Sequence, residues 1–449
     1  MRALGRELST FLPSLALLAG IACGDGPGGA VGEGSSGGST GVATTQGATT
    51  TTASTTSVTS EGGSSGATDS TADSGGSSDS GGPPPCVGDD DCPAHTVCNL
   101  ETGACVCDPA RTLCLEDVPA GHWLELQGTA MADVLPPQDT VPGSRAAIVT
   151  AWSGGVYDRD RNRMVVWGGG HADYAGNEVY AFDLEALAWT RLGDPSLDVG
   201  GDEASGYYPD GRPRSRHTYD YLAYVPELGA MCSMGGAGLW MSGQINVDNL
   251  DCYDFATGQW SARSPAPEGT IAGIADYDAA TGRIAYVLGP QLRYLATYDV
   301  AADSWTTHGD NFTNGGLGHQ LTGRVHPSAR RFVAVGGATI YSWDLDVAGA
   351  VQEQALALAN PPPGFDRSNP GLDYDVVLDR LVWWGGGRSL WSIDLDAMAW
   401  VEHPAAADDA TVPPEPIANG TYGRFRYAVA EDLFVLVSAV EQNVFVRRL

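Results

Sequence analysis

The sequence predicts an all-β fold for residues 118–449, built from six repeated sheet units. Three observations carry that reading. Short β-type apolar runs alternate with Gly, Pro and Asp turns, without a sustained helical period. Glycine clusters recur at intervals of about 50 residues. Most clusters are followed by an aromatic residue and then by a Trp a little further on.

Taken in order, the first unit begins near Ser144 and holds the apolar strand Met164-Val165-Val166-Trp167, the cluster Gly168-Gly169-Gly170, Tyr180 and Trp189. The second has Met234-Gly235-Gly236, Tyr253 and Trp260; the third has Leu288-Gly289-Pro290, Tyr298 and Trp305. The fourth has Val335-Gly336-Gly337 and Tyr341 but lacks the Trp. The fifth has Trp384-Gly385-Gly386-Gly387, Trp391 in the Tyr place, and Trp400. The sixth, from Tyr422, carries Val435-Leu436-Val437-Ser438 instead of glycines, then Phe445. Ahead of each cluster stands an aromatic-Asp or similar pair, a polar turn and a basic residue. Tyr157-Asp158 up to Arg163, Tyr277-Asp278 up to Arg283 and Tyr374-Asp375 up to Arg380 are examples. These read as turns between strands one and two.

Glycine doublet, Tyr and Trp at these spacings resemble the kelch repeat, over essentially all of 119–449. The resemblance implies a β-propeller of four-stranded blades around a channel, with six counted units favouring six blades over seven. Apolar strands such as Arg380-Leu381-Val382-Trp383-Trp384 suit a sheet buried on both faces, and the glycines suit positive φ at strand ends. The sixth unit has only three strands of its own. The segment His122 to Gln127, with Trp123 where a fourth strand carries its Trp, is expected to complete it and leave no open edge.

The rest of the chain reads differently. Arg2 and Arg6 precede an apolar run, Leu8 to Ala22, which fits a signal peptide over 1–22, too short to span a membrane. Its end, Leu18-Ala19-Gly20-Ile21-Ala22-Cys23, resembles a bacterial lipobox, which implies acylation of Cys23 and export to an outer membrane or cell surface. Gly20 departs from that motif, and Gly20-Ile21-Ala22 also fits plain secretion. Residues 23–85 are nearly all Gly, Ser, Thr, Ala and Asp, a composition for a disordered tether with a reach of roughly 40–45 Å. Residues 86–115 hold six cysteines, at 86, 92, 98, 105, 107 and 114. This density points to an oxidising compartment. Their order resembles epidermal-growth-factor-like knots, which implies the pairs Cys86–Cys98, Cys92–Cys105 and Cys107–Cys114; other pairings stay open. The reading of the residues themselves is a rigid spacer with no ligand. Cys232 and Cys252 fall on neighbouring strands of the second unit, and a disulfide between them is expected.

The chain carries 55 Asp+Glu against 24 Lys+Arg, a net charge of −31. Such a chain repels phosphates, so nucleic acid is excluded as a partner. A monomer is expected, held to a membrane through the lipid alone.

In a propeller the loops from strand two to three and the connections between blades open on one face. That face holds the loop with His171, Asp173, Tyr174, Asn177 and Glu178, and the loop with Trp240. Blades begin their first strands beside Arg216, His217, His319, Arg367 and Arg424. The expectation is a recognition face for a protein or glycan ligand, Arg supplying planar donors to carboxylates and Trp240 or Tyr174 stacking on a sugar ring. The alternative is loop chemistry, Arg bonding blade carbonyls and His171 pairing with Asp173. No nucleophile, base and orienter set is visible, and no cofactor or metal is expected. An enzyme is the second class. Galactose-oxidase-like enzymes resemble this chain in their kelch blades but need a Cys free for cross-linking to Tyr. Sialidase-like Asp boxes are only grazed by Asp254 to Trp260. Mutarotase-like chemistry in a His/Arg/Glu pocket stays open.

Overall fold

Six antiparallel sheets of four strands each occupy 123–447 of the computed structural model. It describes residues 87–88, 96–100, 104–107, 114–241, 246–288, 294–308, 321–336, 339–346, 354–365 and 370–449. The first blade is Gly154–Asp158, Arg163–Trp167, Tyr180–Asp183 and Ala188–Arg191, and the second runs from Leu222–Val225 to Gln259–Arg263. The third begins at Ile274–Asp278, the fourth at Thr322–His326, the fifth at Gly371–Asp375 and the sixth at Phe425–Ala428. First strands of successive blades contact one another all the way round, from the sixth back to the first, so they line the central channel. The fold is the all-β, six-bladed propeller that the repeats predict. Outside it, Thr96–Asn99 pairs with Ala104–Cys107 as a hairpin, and Cys98 and Cys114 each take part in a disulfide. Cys23, Cys86 and Cys92 lie outside the described residues.

The sixth blade is shared between the chain's two ends. Trp123–Leu126 pairs antiparallel with Val444–Arg447. Register explains the Trp. Trp189 stands opposite Phe182, Trp260 opposite Tyr253, Trp305 opposite Tyr298, and Trp400 opposite Ile393. Trp123 stands opposite Arg447 at the same place. Tyr180 and Trp391, the aromatics of the signature in their units, stand two residues earlier, opposite Arg191 and Glu402. The pleat fixes which positions meet. These indoles also tie blades together. Trp123 Nε1 donates to Arg388 O of the fifth blade at 2.8 Å, and Trp189 Nε1 to Thr129 O, past the sixth, at 2.9 Å.

The aromatic-Asp signature is a turn device. The turns between strands one and two each hold a left-handed residue at the same place: Asn162, Gly229, Gly282, Arg330, Asp379 and Asp432. In three of them the Tyr five residues earlier donates its hydroxyl to that residue's side chain, as Tyr157 to Asn162, Tyr374 to Asp379 and Tyr427 to Asp432, the last two at 2.5 Å. Asn and Asp tolerate this conformation and accept the bond. The Asp ending strand three caps the next turn: Asp183, Asp254 and Asp394 each accept two backbone N–H groups within 3.1 Å. Much of the acidity is thus structural.

Cys232 and Cys252 face each other across the middle of the second blade and form the expected disulfide.

Candidate functional site

The first strands begin at the face that carries the two-to-three loops. There, between blades one, two and six, lies a cluster centred on His217. Its Nε2 is 3.1 Å from Asp173 Oδ2. Its ring centroid lies 4.8 Å from Trp152, 5.7 Å from His171 and 5.9 Å from Tyr219. Tyr219 meets Tyr422 at 5.8 Å. Backbone bonds lock the cluster: Tyr219 N–H donates to Trp152 O at 2.6 Å, His171 N–H to Gly238 O at 2.6 Å, and Met241 N–H to His171 O at 2.7 Å.

The backbone here is strained. Trp152, His171, Tyr219, Met241 and Tyr422 have φ of 48°, 47°, 40°, 61° and 46°. Bulky side chains avoid this region, at a cost of about 1–3 kcal/mol per residue. Two glycines make the approach possible. A Cβ on Gly170 would fall 2.3 Å from Gly238 O, and one on Gly238 would fall 2.6 Å from His217 Nδ1.

The residues expected to face a ligand divide into three groups. His171 and Asp173 come together over the buried His217; the Asp173 side chain is 41% exposed, and its partner is His217 rather than His171. Tyr174 and Trp240 are buried in the core below, so neither offers a stacking face. The apolar bodies of these rings fill the space under the long loops, a stronger claim than solvent contact. Asn177 is also buried, donating to Ser196 Oγ and Pro213 O and accepting from Ser196 N–H. Glu178 Oε1 accepts from Tyr174 at 2.6 Å and Tyr180 at 3.1 Å; burial pushes its carboxyl up, against those bonds.

Arg216 and Arg424 do not ring the opening. Arg216 is fully buried and donates to the carbonyls of Arg214, Gly235 and Gly206 at 3.1, 3.0 and 2.9 Å, its guanidinium over Trp167. Arg424 donates to the carbonyls of Ser153, Val437 and Gly420, and burial pushes it down to about 9. Loop carbonyls outside the ladders need donors, and one guanidinium satisfies three. His319 and Arg367 lie outside the described residues.

Sequence reasoning missed Trp152 and Tyr219. The aromatic two or three residues ahead of a first strand, as in Trp152, Tyr219 and Tyr422, is the signal that points to both. Among the described residues no three His, Cys, Asp or Glu side chains converge as a metal site requires.

No family model matches the chain. A stretch of 90 residues, 20% of the chain, is 32% identical to Kelch-like protein 35 of Mus musculus and spans 14% of that protein's length. Among solved structures, a protein of unknown function from Bacteroides thetaiotaomicron aligns over 72% of this chain and 75% of its own, at 12% identity and a TM-score of 0.46. The six-bladed ring and the 90-residue likeness support a kelch-type β-propeller, a fold compatible with a binding or recognition module.

Proposed function

We propose that this chain is a recognition module displayed outside the cell, anchored through Cys23 on its Gly/Ser/Thr-rich tether. Its ligand docks over the first two blades, against Trp152, His171, Asp173 and Met241. One observation carries the site: five residues held at positive φ in the cluster centred on His217. Strain of this kind persists where the surroundings over-determine it, and it clusters at ligand clamps. A glycan suits the chemistry best. Trp152 and His171 present flat rings, Asp173 accepts hydroxyl donors, and Met241, 59% exposed, adds an apolar edge.

The test is a glycan array probed with the full chain, each hit then titrated into variants. Trp152→Ala and Asp173→Asn are expected to weaken binding by roughly tenfold each, with the fold retained by circular dichroism. Hits that both variants bind normally would remove the site, and product release from a hit would move the assignment to a carbohydrate-active enzyme. The anchor is tested separately: Cys23→Ser is expected to abolish incorporation of labelled fatty acid.

A further inference from the structure

The opposite mouth of the channel, where the first strands end, holds a second and independent feature. A cavity of ≈ 160 Å³ opens there, lined by all six blades. Five of them contribute a Tyr from the same strand position: Tyr157, Tyr224, Tyr277, Tyr374 and Tyr427. Their hydroxyls point into the turns. Tyr224 donates to Asp160 at 2.6 Å, Tyr277 to Glu227, and Tyr374 and Tyr427 to Asp379 and Asp432 at 2.5 Å. Burial first, and the carboxylates after it, push all five phenols up, so they remain protonated donors. The rings are left as walls, beneath an acidic rim.

Charged side chains lie at the floor of the cavity and just beneath it. Arg324 holds Asp220 with both terminal nitrogens, at 2.7 and 3.0 Å. Arg324 and Arg426 both reach Asp373 at 3.3 Å. Asp276 stands apart: its Oδ2 accepts the Val325 N–H at 2.8 Å, and among the described residues no guanidinium comes within ion-pair distance. Asp276 is thus the carboxylate of this group without an ion pair, and Arg159, the other guanidinium lining the cavity beside Arg426, lies over the Tyr224 ring instead. Burial pushes the Asp276 carboxyl up, with Arg324 and Arg426 opposing, as fits a buried charge short of a partner.

Two further observations fix the class of partner. The turn between the fifth blade's first two strands exposes Val376, Val377 and Leu378 where polar residues are usual, and Val429 of the sixth blade is exposed too. Val376 and Val429 line the cavity. The walls also already accept a cation, since the Arg159 guanidinium lies 6.0 Å over the Tyr224 ring.

We propose that this mouth binds a small organic ammonium ion bearing an apolar substituent, its charge on Asp276 and its substituent against Val376 and Val429. The ring walls exclude water from the ion pair and supply their negative faces to the cation.

The test is a titration of the full chain with n-butylammonium chloride, followed through the valine methyl signals in NMR spectra. n-Butanol at equal concentration and sodium chloride at equal ionic strength are the references. Saturable shifts at Val376 and Val429 are expected with the ammonium ion alone. Asp276→Asn is expected to weaken its binding by roughly tenfold. Val376→Ser is expected to weaken butylammonium by roughly threefold and to leave methylammonium unchanged. Absence of saturation, equal shifts with butanol, or unaltered affinity in Asp276→Asn overturns the proposal. Should Asp276→Asn fail to fold, butylammonium against butanol in the unaltered chain and in Val376→Ser decides it. The glycan site stands or falls separately, on the other face.

Discussion

Glu178 has one carboxylate oxygen between two phenol donors and another, Oε2, buried without a partner. Burial raises its carboxyl above the ordinary value, so folding favours the protonated form. Its stability contribution is therefore full below the unfolded-state value, roughly pH 4.3, and is lost as pH rises through the raised one. Glu178→Gln keeps the acceptor and removes the charge. The variant is expected to gain on the parent by on the order of 1 kcal/mol between pH 5 and pH 8, read by urea unfolding at each pH. A pH-independent difference would show that the site ionises freely. Nothing in the sequence marks Glu178 as buried: it stands in a polar loop, and only the folded chain brings Tyr174 and Tyr180 onto the same oxygen.

Elements were far more legible than site residues, and the reason is physical. Strand pleat and turn chemistry are local, so Tyr374-Asp375 up to Arg380 announces its turn wherever it occurs. Whether His171 or Trp152 turns to positive φ depends on Gly238 O and Tyr219 N–H, which come from another blade. The arginines misled for a related reason: a long cation beside a loop reads as exposed until the carbonyls it must satisfy are located. The turn device gives a test of its own. Asp379 holds φ of 54° and accepts from both Tyr374 and Ser328 at 2.5 Å. Asp379→Gly keeps the backbone and loses those bonds, whereas Asp379→Val loses both. The Val variant is expected to fall below the Gly variant by about 1–2 kcal/mol, and equal stabilities would deny the conformation. The second blade offers another. Its disulfide joins residues 20 apart, so Cys232→Ser with Cys252→Ser is expected to cost about 2–4 kcal/mol. This is measured by denaturant unfolding under non-reducing conditions.

At the scale of the molecule, stability turns on closure. Five blades are continuous in sequence, and the sixth exists only because Trp123–Leu126 reaches Val444–Arg447. Without that strand, Val444–Arg447 is an open edge. Trp123 holds it by three contacts: Nε1 to Arg388 O, backbone N–H to Asp409 Oδ2 at 3.1 Å, and its ring 6.2 Å from Trp384 in the fifth blade. Trp123→Ala removes two of these and leaves a cavity between blades five and six, at a cost of about 3–5 kcal/mol. Trp305 occupies the equivalent place in the third blade, with its Nε1 on Ser264 O at 2.9 Å, but it is only partly buried, and its strand is not a closure. Trp305→Ala is therefore expected to cost less and to leave a monomer. Trp123→Ala is expected to expose the sixth-blade edge as well, and so to self-associate in a concentration-dependent way on sedimentation. Equal losses and equal monomers from both substitutions would mean that the joined ends carry no more of the ring's stability than any other outer strand.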